Sequence, residues 1–135
     1  MTDHSALEAR LEQTSSAIRE ALGVDALPPT LVVLGSGFKG FEQGLVAARS
    51  VEFHNLPHIA SPTVQGHGGA LVVGRCGSAP VAVMTGRLHL YEGLSAHDVV
   101  YPIRVMARLG VRRVLLTNAS GSLRPNLAPG SLVAI

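Results

Sequence analysis

The residues best equipped for chemistry lie in one stretch, Gly86-Arg87-Leu88-His89-Leu90-Tyr91-Glu92-Gly93. Arg87, His89, Tyr91 and Glu92 are packed into it, with a glycine at each end. Arg87 offers a planar fork of donors suited to a doubly charged oxyanion. His89, two positions on, points the same way if the chain is extended there. Tyr91 continues the alternation and adds a hydroxyl and a flat apolar face. Glu92 is placed to orient the imidazole or to favour its charged form. Such a set can hold an anion and manage a proton beside it. The alternative reading is a solvated turn whose charged residues only face water.

Several elements must position these side chains. The run Pro80 to Thr85 (PVAVMT) predicts a buried strand, so the motif sits just past a strand's carboxyl end, where open α/β sheets place ligands. Leu31 to Leu34 is a second buried strand. It ends in Gly35-Ser36-Gly37-Phe38-Lys39-Gly40, whose amides and Ser36 hydroxyl suit an anion. The third glycine falls one place too late for a dinucleotide fingerprint, and Lys39 is out of place for a P-loop. Arg112 to Thr117 predicts a third buried strand, running into Asn118-Ala119-Ser120-Gly121-Ser122. Between the last two strands, Ser95-Ala96-His97-Asp98 starts a helix that Gly110 ends. Val99, Val100, Ile103, Met106 and Leu109 share its apolar face, and Pro102 predicts a kink. Strand, helix and strand in this order form a parallel crossover. It sets the 86–93 and 118–122 turns at one sheet edge, with Gly35–Gly37 beside them.

The other segments carry less chemistry. Ser5-Ala6-Leu7-Glu8 reads as a capping box opening a peripheral helix, with Leu7, Leu11, Ile18 and Leu22 on one face and Gly23 as its stop. Ala47 to Phe53 predicts a strand, and His54 to Pro62 a loop. His54 and His58 have no partners at metal-ligand spacing. In Gln65-Gly66-His67-Gly68-Gly69 the glycines either let the imidazole approach a ligand or make a plain turn. Ala70 to Gly74 and Pro80 to Met84 predict a hairpin with a longer loop through Cys76. Gly130 to Ile135 predicts a strand that stops in mid-pattern, so the expectation is an incomplete domain without an internal boundary.

Hydrophobic residues make up 47% of the 135 residues and charged residues only 15%, with a mean hydropathy of +0.33. That is apolar for a free-standing domain of this size, and it predicts association or a larger whole. The net charge is +2 with a single Lys39, and there is no basic block of the kind a nucleic-acid track needs. Cys76 stands alone, which excludes an internal disulfide and suits a reducing compartment. The polar start is not a signal peptide, and no apolar run has membrane-spanning length. The reading is a cytoplasmic protein without membrane or nucleic-acid partners.

Taken together, Leu34-Gly35-Ser36-Gly37, Gly66-His67-Gly68-Gly69, Gly86 to Gly93, Tyr101-Pro102-Ile103-Arg104-Val105 and Thr117-Asn118-Ala119-Ser120-Gly121 resemble the trimeric purine nucleoside phosphorylases, from about Leu31 to Ile135. The Arg87-to-Gly93 motif is specific, and related methylthioadenosine phosphorylases lack its Tyr-Glu-Gly ending. The resemblance implies an α/β fold with a mixed central sheet flanked by helices. It implies reversible cleavage of a purine nucleoside by inorganic phosphate, giving free base and ribose 1-phosphate, with no other cofactor and no metal. Ser36, Arg87, Leu88 and His89 would bind phosphate, with His67 and the Ala119 amide beside them. Tyr91, Asn118 and Ala119 would meet the nucleoside. His89 and Glu92 would be the catalytic residues, Glu92 by holding His89. The implied assembly is a homotrimer in which a neighbour completes each site. The family's base-contacting residues and a second phosphate-binding serine fall beyond Ile135. Two departures stand out: Asn118-Ala119-Ser120-Gly121-Ser122 replaces the usual Asn-Ala-Ala-Gly-Gly, and Phe38-Lys39 replaces smaller residues.

This chemistry agrees with the residues read by themselves. The sugar becomes oxocarbenium-like as the base leaves, and phosphate is the nucleophile. Catalysis is then mostly the positioning of an anion beside a developing cation. Two alternatives stay open: a fragment that binds phosphate and assembles without turnover, and an unrelated anion-binding domain.

Overall fold

The computed structural model describes residues 2–60 and 69–135. Helix α1 spans Thr2–Leu22, β1 Thr30–Val33, β2 Val46–Glu52, β3 Ala70–Cys76, β4 Ala79–Met84, α2 Ala96–Arg108 and β5 Arg113–Leu116. The five strands form one mixed sheet in the order β2-β3-β4-β1-β5. The β2, β3 and β4 strands pair antiparallel, whereas β4, β1 and β5 run parallel. The predicted parallel crossover from β4 through α2 to β5 is present, and it steps over β1, which lies between them.

Alternation along the strands sorts the core into two layers. Leu31 and Val33, with Leu71, Val73, Ala82 and Met84, face both helices. Val32, Leu34, Val72, Val81 and Val83 face the other way, under Leu45 and Phe38. Leu31, Leu71, Ala82 and Val83 are fully buried. Each large aliphatic buried this way contributes about 1.5–3 kcal/mol.

Several sequence expectations are corrected. Helix α1 begins at Thr2, so Ser5 is interior and not a cap. Residues 2–4 hold no Gly or Pro, and nothing stops the helix from extending backwards. Nor is α1 peripheral, because Leu11, Ile18 and Leu22 enter the main core. The β3–β4 turn is short: Cys76 pairs with Ala79, leaving only Gly77-Ser78 to turn, with Gly77 at φ +59°. Helix α2 is capped by Ser95 and Asp98 as predicted and runs unbroken through Pro102. Its buried face, however, is Tyr101, Pro102, Val105, Met106 and Leu109, with Val100 exposed. Tyr101 decides this rotation. Its ring packs under the Arg10 guanidinium at 5.1 Å, and its hydroxyl lies 2.8 Å from Thr14 Oγ1. Strand β5 is an open edge, with Val114 44% and Leu116 67% exposed. Residues 130–135 form no strand.

Exposed ions also link α1 to α2, Arg108 reaching Glu8 at 2.7 Å and Glu12 at 2.9 Å. Hydrogen bonds from Arg108, then Arg19, hold the Glu12 carboxyl below its ordinary range. Its small contribution to stability is therefore present above the ordinary carboxylate pKa and is lost as pH falls through the lowered value. Among the described residues no helix is long and apolar enough to cross a membrane.

The buried Thr14 hydroxyl has one proton to give, and it lies 2.8 Å from the Pro57 carbonyl and 3.1 Å from that of Arg10. It therefore gives its proton to a carbonyl and accepts the Tyr101 proton. Thr14→Val leaves the buried Tyr101 hydroxyl without its partner and removes the donor to the Pro57 carbonyl, and should destabilise the protein by about 1–3 kcal/mol. Urea denaturation checks this, and an unchanged midpoint would show that the network carries no stability.

Candidate active site

Register places the site. Val33 is level with Met84 on one side and with Leu116 on the other. The three parallel strands therefore end together, and the turns after β4, β1 and β5 meet at one edge, as the sequence predicted. Thr117 is where they join. Its Oγ1 accepts from the Gly35 amide at 2.9 Å and donates to the Val33 carbonyl at 2.9 Å. Its own carbonyl accepts from Arg87 Nη1 at 3.1 Å. The approach is so close that a Cβ on Gly35 would lie 2.2 Å from the Thr117 carbonyl oxygen. Farther along, the Cβ position of Gly37 is 3.5 Å from Ala119 Cβ.

Arg87 Nε lies 3.2 Å from His89 Nε2, and His89 Nδ1 lies 2.8 Å from Glu92 Oε1. A guanidinium can only donate, so Nε2 must accept and Nδ1–H must donate to the carboxylate. This is the neutral ring with its tautomer set from both sides. The same Glu92 oxygen accepts from the His89 amide at 2.9 Å. Glu92 is nearly buried, with its side chain 8% exposed, and its other oxygen has no partner among the described residues. The chain is extended at His89 but then enters a 3₁₀ turn, Leu90–Glu92. Strict alternation therefore ends at His89. The turn still brings the Tyr91 ring onto the imidazole, with centroids 4.6 Å apart and 17° between planes. The outer face of Tyr91 is open to solvent, the residue being 83% exposed.

Other expected residues are distributed around this cluster. Ser36 is exposed in the turn closed by the Phe38 amide on the Gly35 carbonyl, 3.3 Å. Ala119 and Asn118 are exposed beyond Thr117, and the Asn118 amide is turned back to the Ala119 carbonyl at 3.2 Å. Leu88 is buried, so only its backbone is available to an anion. Its side chain helps to enclose an apolar cavity of about 270 Å³ with Met84, Val99, Ile103 and Leu116. That cavity borders Arg87 but not His89, Glu92 or Tyr91. His67 lies outside the described residues. His54 and His97 are exposed, and His58 is too, its imidazole meeting Gln13 on α1. Among the described residues no group of three His, Cys, Asp or Glu is placed to hold a metal ion.

Sequence reasoning missed the role of Thr117, reading it only as the end of a strand. A signal was present: β4 is also followed by a threonine. Thr85 Oγ1 accepts from the Ala70 amide at 2.9 Å, just as Thr117 serves Gly35.

The phosphorylase superfamily matches residues 29–135, which include every element of this site. The chain belongs to that superfamily. Among members, purine nucleoside phosphorylase 1 of Geobacillus stearothermophilus is 36% identical over 125 residues, covering 93% of this chain and 45% of that protein. A purine nucleoside phosphorylase solved with ribose 1-phosphate superposes with a TM-score of 0.78 at 32% identity, over 90% of this chain and 44% of that one. The Schistosoma mansoni purine nucleoside phosphorylase solved with inosine gives 0.77 at 30% identity, over 90% and 42%. The chain thus spans less than half the length of these superfamily relatives.

The Gly35–Thr117 approach leaves no room for a side chain, and the neighbouring atoms are backbone. Gly35→Ala should force the turns apart and destabilise the protein by roughly 1–3 kcal/mol or more. Thermal or denaturant unfolding measures this; a wild-type midpoint would mean the turns do not meet as described.

Proposed function

We propose that the protein carries out reversible phosphorolysis of purine nucleosides, yielding free purine and ribose 1-phosphate. It is then a pentosyltransferase of nucleoside metabolism with inorganic phosphate as co-substrate and no other cofactor. The observation that carries this reading is Arg87 beside a His89 ring held by Glu92, at the junction of two small-residue turns. The ribose 1-phosphate and inosine bound by the solved relatives support the same substrate class. The resemblance to trimeric members supports a homotrimer working in the cytoplasm.

In this mechanism phosphate enters between Ser36, Arg87 and the Ala119 amide, with the Leu88 backbone alongside; His67 is a further phosphate ligand on the family resemblance alone. When phosphate takes over the Arg87 Nε–H that His89 Nε2 otherwise accepts, the Nε2 lone pair is released and can take a proton from the incoming phosphate. The resulting imidazolium faces the Glu92 carboxylate and leaves a more highly charged nucleophile beside the guanidinium. The Tyr91 ring and Asn118 line the ribose side. Phosphate oxygen attacks the anomeric carbon as the bond to the purine breaks and the electron pair leaves with the base.

Arg87→Ala should weaken phosphate binding by roughly 30- to 1000-fold, the loss of about 2–4 kcal/mol from a charge-assisted donor in a partly dehydrated site. Calorimetric titration with phosphate decides it, and an unchanged dissociation constant sinks the assignment. Tyr91→Phe should raise the KM for nucleoside by a modest factor, since a neutral hydrogen bond contributes about 0.5–1.5 kcal/mol. Steady-state kinetics would contradict the role if only the phosphate KM moved.

A second reading is favoured by the share of the relatives covered, 45% or less in those compared. Under it, residues 1–135 alone bind phosphate and assemble without turnover. Assay of inosine and guanosine with phosphate, against phosphate binding by the same sample, separates the two.

A further inference from the structure

We propose that Thr117 is a positioning residue for phosphate, acting through Gly35 and Arg87 rather than by touching the anion. The inference rests on the phosphate reading of the site given above.

All three polar groups of Thr117 are committed. Its amide donates to the Val33 carbonyl at 3.1 Å, and its hydroxyl donates to the same oxygen at 2.9 Å. The directions are not free, because a carbonyl brings no proton and the Gly35 amide can only give one. The chain of bonds therefore runs from Gly35 N–H to Thr117 Oγ1–H to Val33 O. The Thr117 carbonyl is then left for Arg87 Nη1. One residue thus fixes the first amide of the Gly35-Ser36-Gly37 turn and one arm of the guanidinium. Ser36 follows Gly35 directly, and Ala119 lies two residues beyond Thr117. The spacing between Ser36, Arg87 and Ala119 is accordingly set through this threonine.

Thr85 shows which part of the arrangement is ordinary strand-end chemistry. Its amide donates to the Ala70 carbonyl at 3.0 Å and its hydroxyl accepts from the Ala70 amide at 2.9 Å, so both bonds go to one residue, where Thr117 bridges Val33 and Gly35. The feature peculiar to Thr117 is that its carbonyl also anchors Arg87, and the residue it clamps opens the turn carrying Ser36. A purely structural threonine would affect stability and active fraction. A positioning threonine affects phosphate more than nucleoside, because Ser36 and Arg87 both take their spacing from it, whereas Tyr91 on the nucleoside side is held by His89 instead.

Thr117→Val keeps the shape and removes the hydroxyl, leaving the Gly35 amide without its acceptor. Thr117→Ser keeps the hydroxyl and removes the methyl. With phosphate and inosine as varied substrates, Thr117→Val should raise the phosphate KM and calorimetric Kd roughly 5- to 30-fold, with the nucleoside KM within about twofold of wild type. Thr117→Ser should restore phosphate binding to within about threefold. Thr117→Ala, which lacks the hydroxyl in a smaller side chain, is measured identically and stands in if the valine variant does not fold. Arg87→Ala is run alongside. Phosphate loss in Arg87→Ala together with wild-type phosphate binding in Thr117→Val overturns the positioning role while sparing the site. Equal losses for phosphate and nucleoside, or no rescue by serine, also overturn it. Wild-type phosphate binding in Arg87→Ala removes the phosphate reading itself, and this inference falls with it.

Discussion

The contact on which the site depends is the approach of Gly35 to the Thr117 carbonyl. A side chain at residue 35 would collide with backbone that cannot move aside. Glycine removes the obstacle, and the threonine hydroxyl supplies the bond that holds the two turns together. Parallel pairing with matched register brings the strand ends to one level, and this contact converts that level edge into a closed junction. Arg87 is fastened to the same residue from the third side. Without the junction, the motif after β4 would be one functional turn among several unrelated ones.

Electrostatics then give the motif its direction. Arg87 can only donate, and the Glu92 carboxylate can only accept, so the imidazole between them has a single consistent proton placement. The Glu92 side chain is almost entirely withdrawn from water, which strengthens its bond to the ring. Tyr91 covers one face of that ring and leaves its own outer face open. The cluster is therefore anchored on its inner side and open to solvent on its outer side.

Strand β5 shows where pattern and burial part company. The run Arg112 to Thr117 is as apolar as the buried strands, yet Val114, Leu115 and Leu116 are exposed at a sheet edge. Apolarity records what a strand can pack against, not whether a neighbour is there. Helix α2 makes a related point. A count of aliphatic residues placed its buried face on Val99, Val100, Ile103, Met106 and Leu109, of which Met106 and Leu109 are buried, Ile103 packs against the core and Val100 is exposed. Tyr101, an aromatic residue with a polar tip, instead turned the helix toward Thr14 on α1.

By itself the sequence determined the five strands of the sheet, though it also predicted one at residues 130–135 that does not form, together with the Ser95 cap, the position of the motif after β4 and the parallel crossover. These depend on local period, on capping and turn residues, and on the chirality of strand–helix–strand units, all of which are written in short stretches. It also carried the pattern by which the chain resembles its superfamily. Only the tertiary structure decided that β1 lies between β4 and β5, that β5 is an open edge, and that Thr117 joins the turns. It likewise decided the proton placement on His89. Those outcomes depend on contacts between residues as much as 84 positions apart, such as Thr117 with Val33. A hydroxyl that clamps two strands and one that merely faces water are the same letter until the partner strand is in place.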